Sequence, residues 1–235
     1  MEVKGFTLLP GTACPLNFDS SIRSSILKEK GMHLLDQRIL GILILLLLGI
    51  LVAVKWIATG SILERPKGNL LLWLVNIFNL FFLLIANPLA AILLITGQIE
   101  AVDTTALTFG AGWHLTVIEI GGSIIYLIGF TLMAWALITL GGNYQLGGSD
   151  PRTTDRLITS GPYAFIRHPM YTAALCIAFG LACLTQSLAC LGVCIIYLVL
   201  ILLLIPVEEE GLQRIYGERY RAYQGKSKRL IPVFF

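Results

Sequence analysis

The sequence predicts an all-α integral membrane protein with about five transmembrane helices, a C-terminal amphipathic helix and no Rossmann domain. Three observations predict it. Of the 235 residues, 56% are hydrophobic and only 13% charged, about half the charge of a soluble domain, and the mean hydropathy is +0.81. The missing charge is concentrated in long apolar gaps, each close to the roughly 20 residues that a helix needs to cross a bilayer. No Gly-x-Gly-x-x-Gly element follows a strand-like run, which excludes the dinucleotide-type fingerprint. A net charge of +3 is too small and scattered for nucleic acid and fits loops beside anionic lipid.

The spans follow in order. Residues 39–58 form the first, around the block Leu43 to Leu48. Residues 70–95 form a second, long enough to tilt or to bend at Asn87-Pro88. The third covers 114–140. The fourth, 170–184, is short, and only Thr185-Gln186-Ser187 separates it from the fifth, 188–206, so these two form an antiparallel hairpin. Residues 1–38 precede the first span, and Phe6 to Leu9 is too short for the apolar core of a signal peptide. The expected division is therefore an extracytoplasmic segment (1–38), two accessory helices (39–113) and a core (114–235).

Orientation follows from Lys and Arg near the spans. One side receives Arg65, Lys67, Arg152, Arg156, Arg167 and the tail residues Arg214, Arg219, Arg221, Lys226, Lys228 and Arg229, eleven in all, against five in the N-terminal segment. The C-terminus is expected in the cytoplasm, with Lys55 snorkelling to that surface from the first span. Nearly all the polar, irregular sequence lies on the same side, where the chemistry is expected.

Thr159 to Tyr171 is the most informative stretch. Gly161-Pro162 makes a turn, Pro169 suits the first position of the fourth helix, and it pushes His168 into an extended cap conformation. The free first-turn N–H groups then offer an anion site, with Arg167, His168 and Tyr171 around it; the alternative is an Arg-His pair anchoring a helix at the headgroups. A second cluster, Glu208-Glu209-Glu210, follows Pro206-Val207. It is expected to open a separate helix, where acids complement the dipole. Leu212, Ile215, Tyr216, Tyr220 and Tyr223 then recur at helical spacing among arginines, as in an amphipathic helix on the inner leaflet. The hairpin brings both clusters to one pocket, suited to a ligand with a carboxylate at one end and positive charge elsewhere.

The ordered pattern Ser160-Gly-Pro-Tyr163, Arg167-His-Pro-x-Tyr171, Glu208-Glu209, Leu212, Tyr216-Gly217, Tyr220, Tyr223 and Arg229-Leu-Ile-Pro232 resembles the isoprenylcysteine carboxyl methyltransferase family and its phospholipid-methyltransferase relatives. Trp135-Ala-Leu and Leu140-Gly extend the similarity, which covers about residues 121–232. The resemblance implies an S-adenosylmethionine (SAM) site built from the loop, the hairpin and the C-terminal helix. His168, Pro169 and Tyr171 would line the methionine and sulfonium end, and Glu208 or Glu209 would take ribose hydroxyls or the ammonium. Tyr163 and Arg167 would stand at the mouth, and Leu212 would pack on adenine. It further implies methylation of a lipophilic acceptor at the cytoplasmic face, with Arg167, His168 and Glu209 closest to the chemistry. A prenylcysteine carboxylate needs only a cation such as Arg167 to orient it; a phospholipid amine needs a base, His168 or a glutamate. Family members often carry a basic residue just before the glutamate pair, where this chain has Pro206-Val207, so both acceptors stay open.

The rival from another reaction class is an NADPH-dependent sterol-type reductase with a similar Arg-His-Pro element. A transporter would need an inverted repeat or polar midplane helices, and neither is visible. Asn76 and Asn79, one turn apart, are read as interhelical hydrogen-bonding residues, with an acceptor tunnel as the alternative. Glu119 is expected at the outer interface, or as a functional candidate if buried, Gly122 and Gly129 at a close helix contact, and the Cys176, Cys183, Cys190 and Cys194 thiols as apolar packing rather than a metal site or disulfide.

Overall fold

The computed structural model describes residues 36–60, 70–105, 113–143 and 156–231. The N-terminal segment through residue 35, with Cys14 and His33, lies outside the described residues, as do Arg65, Lys67, Arg152 and Pro232.

The described residues are helical, with no strand among them. Helix α1 spans Gln37–Thr59 and α2 spans Leu70–Thr96. A short α3 covers Ile99–Val102 and α4 covers Trp113–Leu140. Then come α5, Pro169–Thr185, α6, Leu188–Tyr216, and α7, Glu218–Gln224. Helices α1, α2, α4 and α6 are long and apolar enough to cross a membrane, and α5 is a shorter apolar helix of 17 residues. Large apolar side chains such as Ile50, Ile77, Ile128 and Leu203 are about half exposed. Helices apolar on every side belong in lipid, so the chain is a multi-pass integral membrane protein.

Local sequence explains the two irregular points in the long helices. Pro88 cannot donate to the carbonyl four residues earlier, and the turn before it, Phe82–Ala86, widens into a π-helix in which the Asn87 N–H reaches the Phe82 carbonyl. The fully buried Asn87 side chain also donates to the Phe82 carbonyl (3.3 Å) and accepts from the Tyr126 hydroxyl on α4 (2.9 Å). Pro206, by contrast, does not end a helix. The expected break there is absent, and α6 continues to Tyr216 with Pro206 inside it. Glu208, Glu209 and Glu210 thus sit inside α6, about two turns before its end, and gain nothing from a helix N-terminus. The chain turns at Gly217 (φ 56°), and Tyr220 and Tyr223 of α7 are buried in the protein rather than laid on a leaflet.

The α5–α6 hairpin forms as expected. Gln186 closes α5 in the left-handed region, and the Ser187 side chain caps α6 by accepting from the Cys190 N–H (3.0 Å). Against this hairpin α4 packs closely through glycine. A Cβ at Gly122 would lie 2.6 Å from the Cys183 Cβ, and one at Gly129 would lie 2.8 Å from the Ala173 carbonyl oxygen. Helix α1 contributes Ile44, Leu48 and Leu51 to the larger core cluster with α2, α4 and α5, while Leu72 and Val75 of α2 pack against Tyr197, Ile201 and Leu204 of α6. Glu119 is buried and does not reach the interface. The four described cysteines are free thiols, and no metal-ligating cluster occurs among the described residues.

The glycine contact makes a prediction. Gly129→Leu is expected to lower stability by about 1–3 kcal/mol through overpacking, whereas Gly121→Leu, which meets nothing within 4 Å, is expected to be near neutral. Thermal unfolding in detergent measures both; equal shifts would refute the close-packing role.

Candidate functional site

The loop before α5 is built around a glycine and two prolines. Gly161 has φ 58° and fits so closely against α4 that a Cβ would lie 2.7 Å from the Thr139 hydroxyl. The turn Gly161–Ala164 then carries Tyr163 inward. Pro169 occupies the first turn of α5, and His168 before it lies outside the helical region (φ −121°, ψ 57°), as its neighbouring proline requires, but short of the extended conformation expected from the sequence.

The C-terminal segment returns to hold this loop. The Arg167 N–H donates to the Lys228 carbonyl (2.7 Å), the Lys228 N–H to the Phe165 carbonyl (3.0 Å), and the His168 N–H to the Arg229 carbonyl (3.1 Å). This is a parallel bridge between Ile166 and Lys228. The Thr172 hydroxyl donates to the Leu230 carbonyl (2.8 Å), and the Tyr223 hydroxyl to the Tyr163 carbonyl (2.7 Å). Burial pushes the Tyr223 phenol up to about 12, so it remains a donor at any physiological pH.

At the centre lies Glu209. Its Oε1 accepts from Arg167 Nε (2.7 Å) and its Oε2 from Arg229 Nε (3.1 Å). Its side chain is 5% exposed and that of Arg167 9%, so the pair is sheltered from solvent screening. Arg167 also donates to the backbone carbonyls of Gln224 (3.2 Å) and Ser227. The arginines therefore neutralise the acid directly instead of facing it across an open pocket. His168 is wedged between the two carboxylates: Nε2 is 3.4 Å from Glu209 Oε1 without hydrogen-bond alignment, and Nδ1 is 3.7 Å from Glu208 Oε2. Its ring stacks on Tyr171 (centroids 5.6 Å apart, 15° between planes), and the Tyr171 hydroxyl donates to Glu208 Oε2 (3.0 Å).

Beside this cluster opens a cavity of about 290 Å³. Its polar wall includes Tyr163, Arg167, His168, Tyr171 and Glu208, with Pro169 and Leu212; its apolar wall runs along the membrane helices past Leu51, Leu83 and Ile177. The sequence-predicted residues Tyr163, Arg167, His168, Pro169, Tyr171, Glu208 and Leu212 thus converge on one cavity. Glu209 stands behind that wall, held by the two arginines. Glu210 points away, paired with the exposed Arg214 at 2.5 Å.

Sequence reasoning missed two features. Arg229 was visible only as part of a motif, yet it closes the ion cluster. Tyr220, also in the motif, is 1% exposed, lines the cavity, and has a hydroxyl with no hydrogen-bond partner among the described residues. Lys55, expected at the surface, lines the cavity as well.

Three comparisons bear on this site. Residues 117–219 match the family model for phospholipid methyltransferases. The protein-S-isoprenylcysteine O-methyltransferase of Xenopus laevis is 29% identical over 125 residues, 51% of this chain and 42% of that protein; the chain spans about two-fifths of the curated relative it matches. A solved structure of the eukaryotic intramembrane Ras methyltransferase, isoprenylcysteine carboxyl methyltransferase, aligns with TM-score 0.45 at 19% identity, over 69% of this chain and 74% of that one. The matched stretch begins in α4 and ends in α7, and so encloses the hairpin, the Arg-His-Pro loop and Glu208-Glu209. From α4 to α7 this chain resembles the phospholipid methyltransferases, and over 125 residues it resembles an isoprenylcysteine O-methyltransferase.

Proposed function

We propose that the protein is an integral membrane SAM-dependent methyltransferase, acting on a lipophilic acceptor at the cytoplasmic face in the manner of isoprenylcysteine carboxyl O-methyltransferases. The observation that carries this reading is the continuity of one cavity, which joins the polar cluster of His168, Tyr171 and Glu208 to an apolar wall between membrane helices. Residues 114–235 are the catalytic core on this reading, 39–113 the accessory helices, and 1–38 an extracytoplasmic segment.

The lining suits the methyl donor. A carboxylate, Glu208, and a buried hydroxyl without a partner, Tyr220, face the cavity; such groups match ribose hydroxyls and an ammonium. Glu208, His168, Pro169, Tyr171 and Leu212 hold the donor. When bound, SAM supplies a methyl group on a sulfonium sulfur, which an acceptor oxygen displaces in line, the electron pair of the broken C–S bond returning to sulfur. The chain positions the two partners and keeps water away. Reaction of a carboxylate with a sulfonium cancels two charges, so a cavity with an apolar wall favours its transition state over its ground state. Arg167 orients the acceptor at the mouth, and Glu209 positions Arg167 and His168.

A phospholipid amine, the second acceptor, must lose a proton. Both ring nitrogens of His168 face carboxylates, and Glu208, the carboxylate on the cavity, already accepts from the Tyr171 hydroxyl. This favours the carboxylate acceptor.

Two predictions separate contact from positioning. His168→Ala and Glu208→Ala should each weaken S-adenosylhomocysteine binding about tenfold or more, measured by calorimetry on detergent-solubilised protein. Unchanged affinity in both, or saturable NADPH binding with none for the nucleoside, would overturn the reading. Glu209→Ala should instead destabilise the fold by about 3 kcal/mol, because it strands the sheltered Arg167 guanidinium, with little added by the more exposed Arg229; a melting temperature equal to that of the unmodified protein would contradict its positioning role.

A further inference from the structure

The sequence favours an interhelical hydrogen bond for Asn76, and the structure gives its amide nitrogen no such bond. Asn76 lies on α2, outside the matched residues 117–219. It is 7% exposed, and its Nδ2 has no hydrogen-bond partner among the described residues. It lines the same cavity as His168, Tyr171 and Glu208. Its neighbours on α2 fix its direction: Leu72 and Val75 pack against α6, and Phe78 stacks on Tyr197 at 5.1 Å. Turning Asn76 away would undo that packing.

We propose that Asn76 is an acceptor-positioning residue whose side-chain amide donates to a carbonyl oxygen of the lipophilic acceptor. The accessory helices would thereby help to select which lipid is methylated. This rests on the methyltransferase reading above. A buried N–H without a partner is costly, and a ligand oxygen that enters the cavity relieves the cost. The surrounding wall of Leu51, Val52, Leu80, Phe82 and Leu83 accommodates hydrocarbon, and hydrocarbon offers no oxygen. The complementary group is therefore the amide or ester carbonyl that links the reacting head of an acceptor to the rest of the molecule. Asn76 is neutral, so it reads that oxygen by hydrogen bonding and adds no charge to the wall. Asn79, half-buried on the same cavity wall one turn further on, extends the polar strip.

The test compares the full chain with Asn76→Leu in lipid nanodiscs, using N-acetyl-S-farnesylcysteine and S-farnesylthiopropionic acid, which lacks the amide. If only phosphatidylethanolamine is methylated, its ester- and ether-linked forms make the same pair. The expected result is a rise of about tenfold in KM for the carbonyl-bearing acceptor. KM for the acceptor without that linking carbonyl, kcat and the S-adenosylhomocysteine affinity should stay within about twofold. An equal rise for both acceptors would mark Asn76 as merely structural, and no rise for either would also overturn the proposal. If Asn76→Leu does not accumulate, Asn76→Ala is read by the same criteria. Failure of the unmodified chain to bind S-adenosylhomocysteine or methylate any of these lipids would remove the methyltransferase reading, and this inference with it.

Discussion

The Arg167–Glu209–Arg229 cluster is the constraint on which the rest of the site depends. It joins three pieces of chain that are distant in sequence: the loop before α5, the end of α6 and the C-terminal segment. A buried ion pair is expensive to assemble because each charge gives up water. Here the Nη1 donors of Arg167 are taken by the Gln224 and Ser227 carbonyls, and the second oxygen of Glu209 is taken by Arg229. With those groups satisfied, the backbone bridge between Ile166 and Lys228 has a fixed register, and His168 has a fixed slot between two carboxylates. A cluster of this kind adds less to total stability than to the uniqueness of one arrangement.

That fixed arrangement stands at the end of an apolar cavity, and the combination matters more than either part. A polar cluster alone would be an interfacial anchor, and an apolar cavity alone would be a lipid-binding groove. Together they place ionisable groups where hydrocarbon also fits. The helices serve this by different means: α4 and α5 approach through glycine, whereas α2 relies on the π-turn before Pro88 and the Asn87–Tyr126 hydrogen bond to keep its register against α4. The first device permits close contact, and the second fixes which residues of α2, Asn76 among them, face inward.

Much of this was legible in the amino-acid sequence because the bilayer simplifies the reading. Apolar runs mark the spans to within a residue or two at most ends, and the three-residue connection after Leu184 dictates the hairpin. The convergence of His168, Tyr171 and Glu208 followed from that hairpin. The rest was not legible, for physical reasons. Glu209 finds its arginines 42 and 20 residues away, and no local spacing encodes such pairs. Pro206 reads as a stop by propensity, yet it removes only one hydrogen bond from a helix held on both sides of it, so α6 continues. Because α6 continues, the dipole argument for three acids fails, and each acid finds its own partner: Tyr171 for Glu208, the arginines for Glu209 and Arg214 for Glu210. Asn76 was ambiguous because its meaning depends on what lies opposite, which periodicity does not report.

The shortness of α5 has a consequence for how such a protein meets its acceptor. Seventeen residues rise about 25 Å, less than the roughly 30 Å of a bilayer's hydrocarbon core. The leaflet must therefore thin around α5, or the Arg-His-Pro loop must sit below the headgroups. In the second case the polar cluster is recessed towards the junction between lipid head and tail. On the proposed reading, an acceptor would then arrive by lateral diffusion, without leaving the leaflet. For such an encounter the governing quantity is surface density, the mole fraction of acceptor among bilayer lipids, rather than its concentration in the surrounding water.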